Sequence, residues 1–330
     1  MRQHKKGWLK WGTVLLSIAI VGSLISGCGS DNKTVATYDG GKIKQAELDT
    51  FTNVSSFFNP YMEAMGEDPA FTDKVLKQLA AIKVLSGRAS DASKKDGEKQ
   101  TKEQMQQFDE YLKQNKVEME KQMKELNITR ANIQDYIKQS LIVMADLESK
   151  VTDKQLQDSY NNKLKEDPNM FDIATVSHIL IATKDPTTGS DSRSKEDALK
   201  RAKEVKTKLD QGGDFAALAK EYSDDPGSKD NGGTYENAPT LQWDPDFRKA
   251  IETLSINKVS DPVETQFGYH IMKVSSKSVQ SLDQVKDVLK QEVTESILTA
   301  FIEKDLVDLH FESKLPAPSP SPSPSATTTK

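Results

Sequence analysis

The sequence predicts a compact α+β domain inserted between two halves of a helical domain. Three patterns predict it. Apolar residues follow helical spacing before about residue 163 and again after residue 281. Strand-like and helix-like stretches alternate from about 172 to 276, enough chain for one small domain. The late helix also carries an apolar face that needs a partner, and the early helices need one too.

The helical half opens on VATYDGGKIKQAEL, a small strand pair turning at Asp39-Gly40-Gly41, a sequence suited to positive φ. From residue 47 to about 163 the pattern is helical and rich in Lys, Glu and Gln. Ile128, Ile133, Ile137, Leu141 and Met144 recur at spacings of three to five, forming one apolar helix face. Thr152 with Gln155 reads as a capping box. Residues 86–102 are polar and read as a loop or a weak helix.

After Asp167-Pro168 the chemistry changes. Residues 172–182, DIATVSHILIA, are rich in β-branched side chains and read as a buried strand. A loop, KDPTTGSDSRS, leads to a helix over 195–211 that stops at Gly212-Gly213, and Asp214 caps the next helix. Two further strands, VSDPVET and YHIMKV, are joined by Phe267-Gly268. Ser281 with Gln284 opens a long final helix with Leu282, Val285, Leu289, Val293, Ile297 and Phe301 on one face. The tail LPAPSPSPSPSATTTK is too polar to build a core and reads as an extended stalk.

The first residues are of another kind. Arg2, Lys5, Lys6 and Lys10 precede an apolar run over 14–25, shorter than the roughly 18–20 apolar residues that span a bilayer. That order is the layout of a secretory signal. Leu24-Ile25-Ser26-Gly27-Cys28 resembles the bacterial lipobox, in which the cysteine is lipidated and becomes the new N-terminus. Cys28 is the single cysteine of the chain, so an internal disulfide is excluded. The segments are therefore 1–27 leader, 28–170 N-terminal helical segment, 171–276 α+β domain, 277–313 C-terminal helix and 314–330 tail.

Composition excludes other classes. At 35% hydrophobic and 29% charged, the 330 residues can build about two cores but not a multi-span membrane protein. A net charge of -5 with dispersed basic residues argues against nucleic acid as a partner. A solute-binding lipoprotein would show two lobes of parallel strands, and that pattern is missing from the sequence.

Over residues 176–276 the chain resembles the parvulin family of peptidyl-prolyl cis/trans isomerases. The motifs run in order: VSHILI, LDQGGDFAALAKEYSDD, the pair Gly232-Gly233, and VSDPVETQFGYHIMKV. With the lipobox and flanking helical halves, the whole resembles the PrsA-type foldase lipoproteins. The resemblance implies a small antiparallel sheet with surrounding helices, inserted in a helical chaperone domain. Carried over by position, it implies a catalytic group of His178, Asp225, Thr265 and His270. Trp243, Phe247 and Phe267 would bind the substrate proline, with Phe267 at the rim. The sequence departs from the family after Gly232-Gly233, where Thr234-Tyr235-Glu236-Asn237 and APTLQW replace the usual run. This departure implies slower turnover than a typical parvulin.

The residues also have blander readings. Two histidines on one strand face are often a satisfied buried pair. Asp225 is equally suited to capping the following PGSKDN turn, and Trp243 with Phe247 to plain core. Two histidines in the domain, with no third ligand at a recognisable spacing, leave no basis for a metal site, and the chemistry needs no cofactor. The expected partners are unfolded or partly folded exported proteins with X–Pro bonds, and a membrane through the lipid anchor. Two functions stay open, a prolyl isomerase foldase or a non-catalytic holdase with an inactive parvulin-like domain.

Overall fold

The computed structural model describes residues 32–59, 68–185 and 187–316. The leader, Cys28 and the tail beyond residue 316 lie outside them. The chain forms two compact units, one running to Thr152 and resuming at Lys290, the other Asp153–Leu289.

The first unit begins with β1 (Thr34–Tyr38) and β2 (Gly41–Lys44), an antiparallel pair joined at Gly40, whose φ of 87° is the positive value expected of that turn. Among the described residues there follow α1 (Gln45–Phe58), α2 (Pro69–Arg88), α3 (Asp91–Gln114), α4 (Lys116–Glu125) and α5 (Arg130–Ser149). The predicted face of α5 is buried at Ile133, Ile137 and Leu141, with Ile128 buried just before the helix, whereas Met144 is only half-buried. Of the two readings of residues 86–102, a loop or a weak helix, the helical one holds. These residues end α2 and begin α3, broken only at Ala89-Ser90. The buried Asp146 of α5 fixes that break by accepting the Ser90 N–H at 2.9 Å. Gly97 then lets α3 lie against the backbone of α5, since a Cβ there would sit 2.8 Å from the Ile142 Cα and N.

The second unit starts at α6 (Asp153–Glu166). The sequence boundary at 170/171 is thus too late by one helix. Tyr160 explains why: its ring stacks on Phe171 at 4.6 Å, and its hydroxyl donates to the Gln280 carbonyl at 2.8 Å. There follow β3 (Asp172–Ala182), α7 (Lys195–Asp210), α8 (Phe215–Tyr222), β4 (Thr234–Pro239), α9 (Pro245–Thr253), β5 (Val263–Thr265) and β6 (Gly268–Val279). The four strands make one antiparallel sheet in the order β4-β3-β6-β5. Side chains alternate across it. Ile179, Ile181 and Ile271 pack under α7 and α8, and Val176, Met272 and Val274 pack against Phe247 and Ile251 of α9. Strand β4 was not legible in the sequence. Gly233 admits it: at φ 75° its carbonyl accepts the His178 N–H at 2.8 Å, and a Cβ would lie 2.2 Å from the His178 oxygen.

The final helix α10 (Leu282–Ala300) crosses the division between Leu289 and Lys290, so the sequence boundary at 276/277 is too early. Its buried side differs from the single stripe expected. Val285 and Leu289 are buried in one unit and Thr294, Leu298 and Phe301 in the other, while Val293 and Ile297 are half-buried. Leu298, Phe301 and Leu306 join Leu76, Ala80 and Val143 in the helical core. The last strand of the described residues, β7 (Glu312–Ser313), adds to the free edge of β1. No helix among the described residues is long and apolar enough to cross a membrane.

Gly97→Ala should destabilise the helical unit by about 1–3 kcal/mol, as overpacking against a neighbouring helix does. The gain in helix propensity, about 1 kcal/mol, offsets part of this. Urea unfolding measures the difference. Ile142→Ala should not restore stability, because the added methyl meets the Ile142 backbone as well as its side chain.

Candidate active site

His178 on β3 and His270 on β6 share one sheet face without being direct partners. His178 pairs with Met272 and His270 with Leu180, so the two imidazoles are diagonal neighbours. Their Nδ1 atoms are 3.1 Å apart and the rings lie nearly parallel, at 17°. Both residues are buried. At one end, Thr265 Oγ1 is 2.9 Å from His270 Nε2 and accepts the Phe267 N–H at 3.2 Å. At the other, Asp225 Oδ2 is 2.9 Å from His178 Nε2. The structure thus brings together all four residues of the expected catalytic group.

The hydrogen bonds have one consistent direction. An ionised carboxylate only accepts, so His178 donates from Nε2 and offers its Nδ1 lone pair. His270 must then donate from Nδ1, which leaves its Nε2 to accept the Thr265 hydroxyl. Charge agrees with this arrangement. Burial and repulsion from His178 push the His270 pKa down to about 3, against the attraction of Asp225, so the ring is neutral near pH 7. Burial alone would raise the Asp225 pKa. Hydrogen bonds from His178, Ser228 and the Gly227 N–H outweigh it and hold the carboxyl well below its usual range.

Asp225 uses its two oxygens differently. Oδ1 accepts the Gly227 N–H at 3.1 Å and so caps the turn, while Oδ2 faces the histidine. Sequence reasoning missed two partners of Oδ2: the Ser228 hydroxyl and the Tyr235 hydroxyl, the latter at 3.0 Å. Ser228 lies 3.1 Å from His178 Nε2, yet this is not a hydrolytic triad. Serine and aspartate face the same nitrogen, which carries the proton, so no basic lone pair points at the serine.

Beside the imidazoles stands an aromatic wall. Phe247 of α9 meets His270 and His178 edge-on, at 5.0 and 5.3 Å. Trp243 lies 5.5 Å from Phe247 and 6.4 Å from Tyr235. Trp243 is not on the same helix as Phe247, contrary to their spacing of four; it precedes the Asp244 cap of α9. Phe267 is 53% exposed at the turn between β5 and β6, whereas Phe247 is buried and Trp243 and Tyr235 are half-buried. The Gln266 side chain on that turn donates to Asp244 at 3.1 Å, tying the turn to the start of α9.

Residues 159–278 match the PPIC-type PPIASE domain. The Foldase protein PrsA of Clostridium botulinum (strain Kyoto / Type A2) is 30% identical over 306 residues, covering 82% of this chain and 85% of its own. The Foldase protein PrsA of Geobacillus sp. (strain WCH70) is 32% identical over 293 residues, covering 88% of each chain. A crystal structure of peptidylprolyl isomerase (PrsA) from Bacillus anthracis is 25% identical, with a TM-score of 0.33, covering 71% of this chain and 94% of that one. The sequence relatives carry the assignment: the chain belongs to the PrsA foldase protein family and contains a PPIC-type peptidyl-prolyl isomerase domain.

Proposed function

We propose that the protein is a lipid-anchored foldase on the outer face of the cytoplasmic membrane, and that His178, Asp225, Thr265 and His270 form the centre at which it isomerises X–Pro bonds of exported chains. The observation that carries the site assignment is the continuous hydrogen-bond chain between Thr265 and Asp225, walled by Phe247.

Isomerisation breaks no covalent bond. The barrier is amide resonance, and the uncatalysed exchange takes tens to hundreds of seconds. The site therefore has to bind the twisted amide better than either planar form. In this reading the proline ring enters beside Trp243 and Phe247, with Phe267 closing the rim. The imidazole pair, fixed in one tautomeric pattern, presents constant dipoles to the twisting carbonyl. Neither histidine acts as a nucleophile.

The anchor rests on the basic, apolar and lipobox order of residues 1–28, with Cys28 as the acylated residue. An acidic body on an acyl tether would keep the isomerase beside chains leaving the export channel.

A protease-coupled prolyl-isomerase assay on the chain from residue 29 onward should exceed the spontaneous rate. Phe247→Ala, confirmed folded by circular dichroism, should weaken peptide binding by about 2–4 kcal/mol, the scale of burying an aromatic ring. Peptide binding without rate enhancement would move the assignment to a holdase. For the anchor, metabolic labelling with a tagged fatty acid should mark wild type and not Cys28→Ala; equal labelling would remove Cys28 as the acylated residue.

A further inference from the structure

Tyr235 sits in the segment that departs from the parvulin pattern, on the edge strand β4, where it pairs with Val176 of β3. Alternation along β3 puts Val176 on the same face as His178, so the tyrosine ring lies over the site, 5.7 Å from the His178 ring. Its hydroxyl reaches Asp225 Oδ2, which already receives the His178 N–H and the Ser228 hydroxyl. With Gly227 on Oδ1, the carboxylate accepts four hydrogen bonds. A carboxylate so bonded is a poor base and a well-fixed anchor.

A second feature points to the same hydroxyl. Gly227 has no positive φ, so its backbone does not require glycine. Space does: a Cβ at this position would lie 2.7 Å from the Tyr235 hydroxyl oxygen and 3.4 Å from Asp225 Oδ1. Residues 227 and 235 are therefore coupled through one oxygen atom.

We propose that the Tyr235 hydroxyl is a positioning group of the isomerase site, holding Asp225 in place beneath His178, and that Gly227 is the vacancy this hydroxyl needs. The inference rests on the isomerase reading above for its kinetic consequence, but not for the geometry. It turns the departure at Thr234-Tyr235-Glu236-Asn237 from a simple loss into a substitution with a role. The tyrosine does not touch the reacting amide; it acts through Asp225 on the orientation and tautomer of His178.

The test is a double-mutant cycle on the chain from residue 29 onward, read by kinetics and by the ring N–H signals of His178. Tyr235→Phe removes only the oxygen. It should lower kcat about tenfold, the worth of one charge-assisted hydrogen bond, with KM unchanged within about twofold. Gly227→Ala should cause a similar loss by displacing the hydroxyl. The double variant should be no worse than either single within about a factor of two, because both act on the same contact. The His178 Nε2–H resonance should move in each single variant and no further in the double. Additive losses of about a hundredfold, or an unmoved resonance in Tyr235→Phe, would overturn the proposal. If wild type never exceeds the spontaneous rate, the isomerase reading fails, and the resonance alone decides whether Tyr235 positions Asp225.

Discussion

The contact between the two Nδ1 atoms of His178 and His270 is possible only if one nitrogen donates and the other accepts. That condition propagates in both directions. Asp225 requires the His178 proton on Nε2, so His270 has to supply the shared proton and then accept from Thr265. Each member fixes the next, and a fault at any point leaves a buried polar atom without a partner, a loss of about 1–3 kcal/mol. The neutral state of His270 is part of the same condition, because a proton added at its Nε2 would consume the lone pair that accepts from Thr265 and place a cation in an apolar setting.

Much of the second unit can be understood as support for this chain. The extended β3–β6 pairing sets the diagonal of the two rings. Gly233 lets β4 approach the His178 backbone, and β4 in turn delivers Tyr235 to Asp225. Phe247 seals the imidazoles from the α9 side, where its edge-on contacts exclude water without offering a competing hydrogen bond. The short turn after Asp225 supplies both a backbone donor and Ser228, one to each carboxylate oxygen. Rigid polar chains of this kind favour a single arrangement over many near-equivalent ones. That property suits catalysis by fixed dipoles better than catalysis by a mobile base.

What the sequence revealed and what it hid have distinct physical causes. His178 and His270 stand out because they interrupt β-branched, apolar strands, and the motifs around them place Asp225 and Thr265 as well. Tyr235 and Ser228 stay hidden because a hydroxyl donor leaves no periodicity, and because β4 contains Asn237 at φ 45° and ends at Pro239, residues that read as loop. The start of α3 was masked by its polarity; what holds it is a buried carboxylate from α5 and a close approach at Gly97, neither of them an apolar stripe. In α10 the burial skips from Leu289 to Thr294, which a single-faced reading cannot anticipate. The junctions shifted for a related reason: Tyr160 binds α6 to the inserted unit through one stacked ring and one hydrogen bond, contacts that spacing does not encode.

The direct test of this account is the protonation pattern of the two rings, read from ¹⁵N shifts of histidine-labelled protein between pH 7 and pH 4. The expected pattern is Nε2–H with a bare Nδ1 on His178, Nδ1–H with a bare Nε2 on His270, and a His270 that stays neutral to about pH 4. The stability consequence has a definite sign. With its folded pKa depressed from 6.5 to about 3, His270 contributes fully above pH 6.5 and loses that contribution as pH falls, because the unfolded chain takes up the proton first. The loss is up to about 1.4 kcal/mol per pH unit for this group. A His270 ring that titrates near 6.5, or that carries its proton on Nε2 at pH 7, would contradict the account.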